Sequence, residues 1–226
     1  MNPAGSQVLF LQAIDWAMLK PMLDGCINTV YLFFLTLLFA LPLALPIALG
    51  RMSRFKPLSG AINFYLLVMR GTPLILQIIF IYFAPYYLFK ATPAPRFAAV
   101  TFAFVLNYAA YFAEIYRGGI ESIPRGQYEA AKVLGFTKTQ TFFRIILPQV
   151  IKRIVPATAN EVITLVKDTA LAQTIGVAEL FRAAQTISSA RFSVVPIFVA
   201  GIFYFLMNAV VDAVFQRIER KMNYYR

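Results

Sequence analysis

Five ionisable side chains interrupt otherwise apolar runs of this sequence: Arg70, Glu114, Glu161, Lys167 and Asp168. Arg70 carries a planar fork of five N–H donors, the geometry that suits a carboxylate. It opens "RGTP" in the middle of 33 residues, Pro57 to Phe89, that hold no other charge. Gly71 lets a backbone or a solute come close, and Pro73 has no N–H, so a carbonyl one turn earlier loses its helical partner and the helix breaks or kinks. Glu161 and Asp168 are seven residues apart, close to two helical turns, which puts both carboxylates on one face about 10 Å apart. Glu114 precedes Arg117 by three residues, the spacing of an ion pair within one turn. Lys167 is long enough to snorkel or to pair with a carboxylate. Opposite charges so placed have two compatible uses. Arg70 can pair with Glu161 or Asp168 and fix helix packing, or the same groups can receive a charged solute.

Much other chemistry is absent. There are no histidines, which removes the commonest general base and metal ligand. The one cysteine, Cys26, lies in an apolar run and reads as packing. No G-x-x-x-x-G-K-[ST] phosphate loop occurs, and Gly118, Gly119 and Gly126 do not build one. No Ser-Lys or paired-Asp arrangement supports an intramembrane enzyme.

The elements that position these residues follow from composition. The chain is 60% hydrophobic and 14% charged, with a mean hydropathy of +0.68, values outside the soluble globular range. The net charge of +11 is then a question of where each Lys and Arg lies relative to a membrane, and it does not point to nucleic acid. A crossing helix needs about 20 apolar residues. Gly25 to Gly50 has 26 without a charge. The full reading is all-α and polytopic, a single transmembrane domain over 1–226 with five spans near 23–50, 58–89, 95–117, 151–173 and 192–214. A loop and a short helix that pack against protein precede the last span. The first 25 residues, with Trp16 among Leu and Met, read as a short interfacial helix and not as a cleaved signal.

The Arg70 run is too long for one ordinary span, since 33 residues reach about 50 Å as a straight helix. Charge parity decides against dividing it into two crossings. With five spans and the N-terminus outside, the inner segments 51–56, 117–153 and 217–226 hold fourteen Lys and Arg, against five in the outer segments. That distribution obeys the positive-inside rule and places the C-terminus in the cytoplasm. A hairpin at "RGTP" would invert everything after it, so Arg70 is read as lying within one broken crossing.

The segment 118–148 is the longest hydrophilic piece. "QYEAAKVL" forms helix well, Gly135 can end it in the left-handed conformation, and Thr137 can cap a second helix over "TKTQTFFRIIL". Pro148 marks the approach to the next span. The expected unit is a cytoplasmic helix-turn-helix elbow rooted in the membrane at both ends.

Glu129-Ala130-Ala131, then Gly135, then Ile145-x-Leu147-Pro148 resembles the EAA loop of the membrane permease subunits of ATP-binding-cassette importers. "RGTPLILQIIFIYF", "AYFAEIYRGGIESIPRGQYEAAKVLGF", "RIILPQ" and "NEVITLVKDTALAQTIGVAEL" are similar to segments of the polar amino acid permeases in that superfamily. The resemblance implies a bacterial inner-membrane, multi-pass permease working by alternating access. Its elbow, through Glu129, Ala130, Ala131, Gly135, Leu147 and Pro148, would dock on an ATPase subunit present in two copies. It further implies a second permease subunit, identical or related, an extracytoplasmic amino acid binding protein, free or lipid-anchored, and contact with membrane lipid. No cofactor belongs to this chain itself; ATP and Mg2+ are expected on the ATPase, so the chain is not an enzyme. An ATPase-independent secondary transporter or channel is the alternative, although no internal repeat of the kind such transporters show is visible.

Given an amino acid cargo, Arg70 with Thr72 is expected to hold the α-carboxylate, and Glu161, or Asp168 with Thr169, the α-ammonium. Asn107, Tyr108 and Gln77 are candidate polar liners. The side-chain specificity is not encoded in these shared groups.

Overall fold

The computed structural model describes residues 14–222. Those residues form helices and connecting turns, with no strand among them. In chain order the α-helices are α1 (Trp16–Arg51), α2 (Lys56–Gly71), α3 (Leu74–Phe89), α4 (Arg96–Glu121), α5 (Arg125–Val133), the short α6 (Lys138–Gln140), α7 (Leu147–Asp168), α8 (Leu180–Arg191) and α9 (Val195–Met222). A π-helical turn, Thr141–Ile146, joins α6 to α7, and a 3-10 segment, Thr169–Ile175, extends α7.

Three of these helices, α1, α4 and α9, are long and apolar enough to cross a membrane, and α2 with α3 passes the same test as a pair. Across Thr72 and Pro73 the helix axis turns by 110°. The break expected at "RGTP" is therefore present, and it is sharp. α7 is 22 residues long but carries Lys152, Arg153, Glu161, Lys167 and Asp168, which keep it below the apolarity of the others.

The separate interfacial helix expected before the first span is not found in the described part: from Trp16 onward it is continuous with that span, as one helix of 36 residues. Its physical start is Asp15, whose carboxylate accepts the Met18 N–H at 2.8 Å, an N-cap bond. The expectation for residues before 14 lies outside the described residues.

The chain divides into two compact units. The first comprises residues up to Thr36, Leu74–Phe104 and Leu165–Ala209. Its core joins Met18 and Met22 of α1 to Leu180 and Ala184 of α8 and Val195, Val199 and Ala200 of α9, with half-buried Cys26 packed against it. The cysteine is thus a packing residue. Gly25 is demanded by a close approach, because a Cβ there would lie 2.9 Å from the backbone of Glu179. Thr29 and Asn28 fasten the same connection: Thr29 Oγ1 accepts the Leu180 N–H at 3.2 Å, and Asn28 Nδ2 donates to the Ala178 carbonyl at 2.7 Å.

Glu179 closes this arrangement as the N-cap of α8. Its side chain is fully buried and accepts the Phe181 N–H at 2.7 Å, the Arg182 N–H at 2.6 Å and the Tyr204 hydroxyl at 3.0 Å. Burial pushes its carboxyl above the ordinary value, and the three donors only partly oppose that. At the unit's margin Asp15 pairs with Arg191 at 2.9 Å.

The second unit comprises Leu37–Pro73, Val105–Thr164 and Val210 onward. Here Tyr108, Ala109, Ala110, Phe112 and Ala113 of α4 are almost wholly buried. Tyr65 of α2 donates its hydroxyl to the Leu106 carbonyl at 2.5 Å. A smaller cluster, Ile123, Ile146 and Val150, anchors the base of the elbow. There Arg153 donates to the Ser122 carbonyl and, at 2.9 Å, to its hydroxyl.

Candidate functional site

The broken helix positions Arg70. Pro73 cannot supply the N–H that the Met69 carbonyl would receive four residues on, and Asn107 Nδ2 donates to that carbonyl at 3.0 Å instead. The adjacent Val68 carbonyl receives the Thr72 hydroxyl at 2.8 Å. Two side-chain donors thus finish the last turn of α2, and the turn holds Arg70 in place.

Arg70 faces α4. Its Nη1 lies 3.7 Å from Glu114 Oε2, and its guanidinium carbon is 5.6 Å from the centroid of the Tyr111 ring, a cation–π distance. Glu114 is the hub of a larger cluster. Arg117 reaches it with Nη2 at 2.6 Å and Nε at 3.2 Å, as the three-residue spacing predicts, and Arg117 also pairs with Glu121. Arg51, the last residue of α1, donates to Glu114 as well. A cavity of about 320 Å³ is lined by Arg51, Asn63, Leu66, Leu67, Arg70 and Gly71.

The carboxylate that the structure sets beside Arg70 is therefore Glu114. Sequence spacing assigned Glu114 to Arg117 alone, and it missed Arg51, which lies 63 residues away. The available signal was that Arg51 and Arg117 both stand in segments that the Lys and Arg distribution assigns to the inner side. Glu161, in the same unit, is half-buried on α7. Asp168 and Thr169 belong to the other unit; Asp168 ends α7, and buried Thr169 donates its hydroxyl to the Val166 carbonyl at 2.6 Å. Lys167 is exposed, Asn107 and Tyr108 are buried, and Gln77 is 8% exposed.

The elbow is built as its residues require. Gly135 has φ +78°, and the N–H groups of Phe136 and Gly135 bond the carbonyls of Ala131 and Lys132, which is a Schellman ending for α5. Thr137 and Gln140 then exchange reciprocal bonds at 2.9 and 3.2 Å, a capping box that starts α6. Glu129 and Ala130 are exposed, whereas Ala131 is 1% exposed and seats the helix. The tip presents apolar side chains to the outside: Val133 and Leu134 are 86% and 74% exposed. The π turn was not expected from sequence. It ends immediately before Leu147 and Pro148, where the proline lacks the N–H that an α-helix would give the Arg144 carbonyl, and Leu147 N–H bonds back to Phe142.

The broken apolar helix, the partly exposed arginine cluster around Glu114 and the capped elbow with an exposed apolar tip are thus on the same chain. Residues 39–224 match the family of binding-protein-dependent transport system inner membrane components. The chain belongs to that family and is a multi-pass inner-membrane protein. It is 40% identical over 220 residues to the L-cystine transport system permease protein TcyB of Bacillus subtilis, a match covering 94% of this chain and 93% of that protein. It is 34% identical over 202 residues to the arginine transport system permease protein ArtQ of the same organism, covering 89% and 92% of the two chains. Among solved structures, an amino acid ABC transporter crystallised with histidines superposes with a TM-score of 0.83 at 35% identity, over 92% of this chain and 99% of that one.

Proposed function

We propose that this chain is the transmembrane subunit of an ATP-driven importer that carries a polar amino acid into the cell by alternating access. Five crossings make the pathway: α1, the broken pair α2 and α3, α4, α7 with its 3-10 extension, and α9. The N-terminus lies outside, and the elbow and C-terminus lie in the cytoplasm. ATP and Mg2+ are bound and used by a separate ATPase, in two copies, which engages the elbow through Glu129, Ala130 and the exposed tip at Val133 and Leu134. A second permease subunit completes the path, and an extracytoplasmic binding protein delivers the cargo.

The observation that carries this reading is the elbow. A Schellman turn joined to a capping box holds a rigid corner whose tip exposes Val133 and Leu134, and an apolar surface of that kind outside the bilayer calls for a protein partner. The likeness to permeases for L-cystine and arginine supports a polar amino acid as cargo. Both amino acids carry an α-carboxylate and an α-ammonium, so the groups read in common are those two. Arg70 with Thr72 receives the carboxylate, and Glu161 the ammonium; Asp168 with Thr169 is the other ammonium partner.

Copurification tests the coupling. A stoichiometric ATPase should accompany the wild-type chain and fall away from Glu129→Lys, while the amount of chain in the membrane stays the same. Uptake into reconstituted vesicles tests the cargo contacts: Arg70→Ala should abolish accumulation without affecting ATPase association, and Glu161→Gln and Asp168→Asn should separate the two ammonium assignments. Wild-type uptake by Arg70→Ala would refute its role.

A further inference from the structure

The arginine cluster holds more positive charge than its two carboxylates balance. Arg51, Arg70 and Arg117 all lie within 4 Å of the one carboxylate of Glu114, and Glu121 serves Arg117. The Arg70 contact, at 3.7 Å, is longer than a charge-assisted hydrogen bond of about 2.7–2.9 Å. Arg70 and Arg51 both line the 320 Å³ cavity, together with the Asn63 amide, and that volume is at the lower end of small-ligand sites, about 300–1,000 Å³. Gly71 lines it too, and a Cβ added there would meet nothing within 4 Å. The cavity walls are mostly apolar, with Arg51, Arg70 and Asn63 among the lining residues and open space beside the Gly71 backbone.

We infer that this cavity is a carboxylate receptor with two guanidinium groups, Arg51 as well as Arg70, in which Glu114 is the internal carboxylate that an incoming one replaces at Arg70. The inference rests on the reading of Arg70 given above and adds Arg51, Asn63 and Glu114 to it. Arg51 and Arg70 both line the cavity and both lie within 4 Å of Glu114, and two planar guanidinium forks suit a carboxylate better than a single lysine-like point charge does. An internal competitor also has a kinetic use. When the cargo leaves, Glu114 re-forms its contact with Arg70, so that guanidinium is not left without a carboxylate neighbour in the membrane.

The test uses the full chain with its copurifying ATPase in lipid nanodiscs. Equilibrium binding is measured for radiolabelled L-cystine, L-arginine and L-histidine, and for cystamine, agmatine and histamine, which lack the carboxylates. The tightest amino acid should bind at least tenfold more weakly to Arg51→Gln and to Gly71→Val, and at least threefold more tightly to Glu114→Gln. Its decarboxylated counterpart should bind far more weakly and be indifferent to Arg51→Gln. Gly71→Val adds bulk to the cavity wall without removing a charge, so it keeps the test decisive if removing a charge prevents assembly. Unchanged affinity in Arg51→Gln or in Gly71→Val overturns the inference; if Arg70→Gln still weakens binding, the carboxylate role of Arg70 survives that result. If none of the three amino acids binds the wild-type protein, the cargo reading fails and this inference falls with it.

Discussion

At the scale of single residues, two carboxylates in this chain, the half-buried Glu114 and the buried Glu179, do opposite things. Glu114 is surrounded by guanidinium groups, whereas Glu179 meets two backbone N–H groups and a tyrosine hydroxyl inside an apolar core. For Glu179 burial prevails, and its carboxyl is held above the ordinary value of 4.5. An acid whose folded-state pKa is raised binds its proton more tightly folded than unfolded. Stability from this group is therefore greatest below about 4.5 and declines as the pH climbs from there through the raised value. Glu179→Gln should flatten that decline. Glu179→Ala removes the acceptor of three part-buried hydrogen bonds and should destabilise the first unit by roughly 2–4 kcal/mol. Cys26, packed in the same core, reports both outcomes through its reaction with a maleimide dye during thermal unfolding in detergent. An Ala variant as stable as wild type would show that Glu179 is not the cap that holds α8.

At the scale of elements, the break between α2 and α3 and the elbow are the two places where backbone bonding is redirected. Asn107→Leu removes the donor to the Met69 carbonyl, and the loss of a hydrogen bond of this kind costs about 0.5–1.5 kcal/mol. The expected result is a lower unfolding temperature together with loss of uptake, because Arg70 sits in the turn that loses its support. Gly135→Val forces a β-branched residue to φ +78° and should reduce ATPase association without preventing membrane insertion. Stimulated ATPase activity at the wild-type level in that variant would remove the elbow's role. Both features could be read from the sequence because they depend on near neighbours: Pro73 dictates the missing N–H, and Gly135 and Thr137 dictate the turn and the cap. The π turn before Pro148 and the continuity of α1 from Trp16 were not readable. In each case the outcome turns on hydrogen-bond register and tertiary packing, which residue type alone does not fix.

At the scale of the whole molecule, the sequence disclosed the membrane class and the helix-turn-helix elbow, but not the neighbourhood of Arg70. Opposite charges on α2 and α7 suggested a pair with Glu161 or Asp168, yet the side chain faces Glu114 on α4, and Arg51 arrives from α1. Nothing in residue spacing could reveal that convergence, since it depends on which helices adjoin. The consequence for the molecule is that one carboxylate ties α1, α2 and α4 together within a single unit, so changes at Arg70 should be felt at the C-terminal end of α1. Arg51→Gln should accordingly alter the reactivity of a cysteine introduced at Asn63, measured with a membrane-permeant maleimide. Identical labelling rates would mean that the cluster's members act separately.

The central claim is that this subunit moves a polar amino acid only when an ATPase drives its elbow. The most direct measurement is accumulation of radiolabelled L-cystine, L-arginine and L-histidine in proteoliposomes that contain this chain and its copurified ATPase, with the binding protein added outside and ATP enclosed. One of the three should accumulate against its gradient, should not do so without ATP, and should be lost with Glu129→Lys. Equal accumulation without ATP, or with Glu129→Lys, would contradict the account.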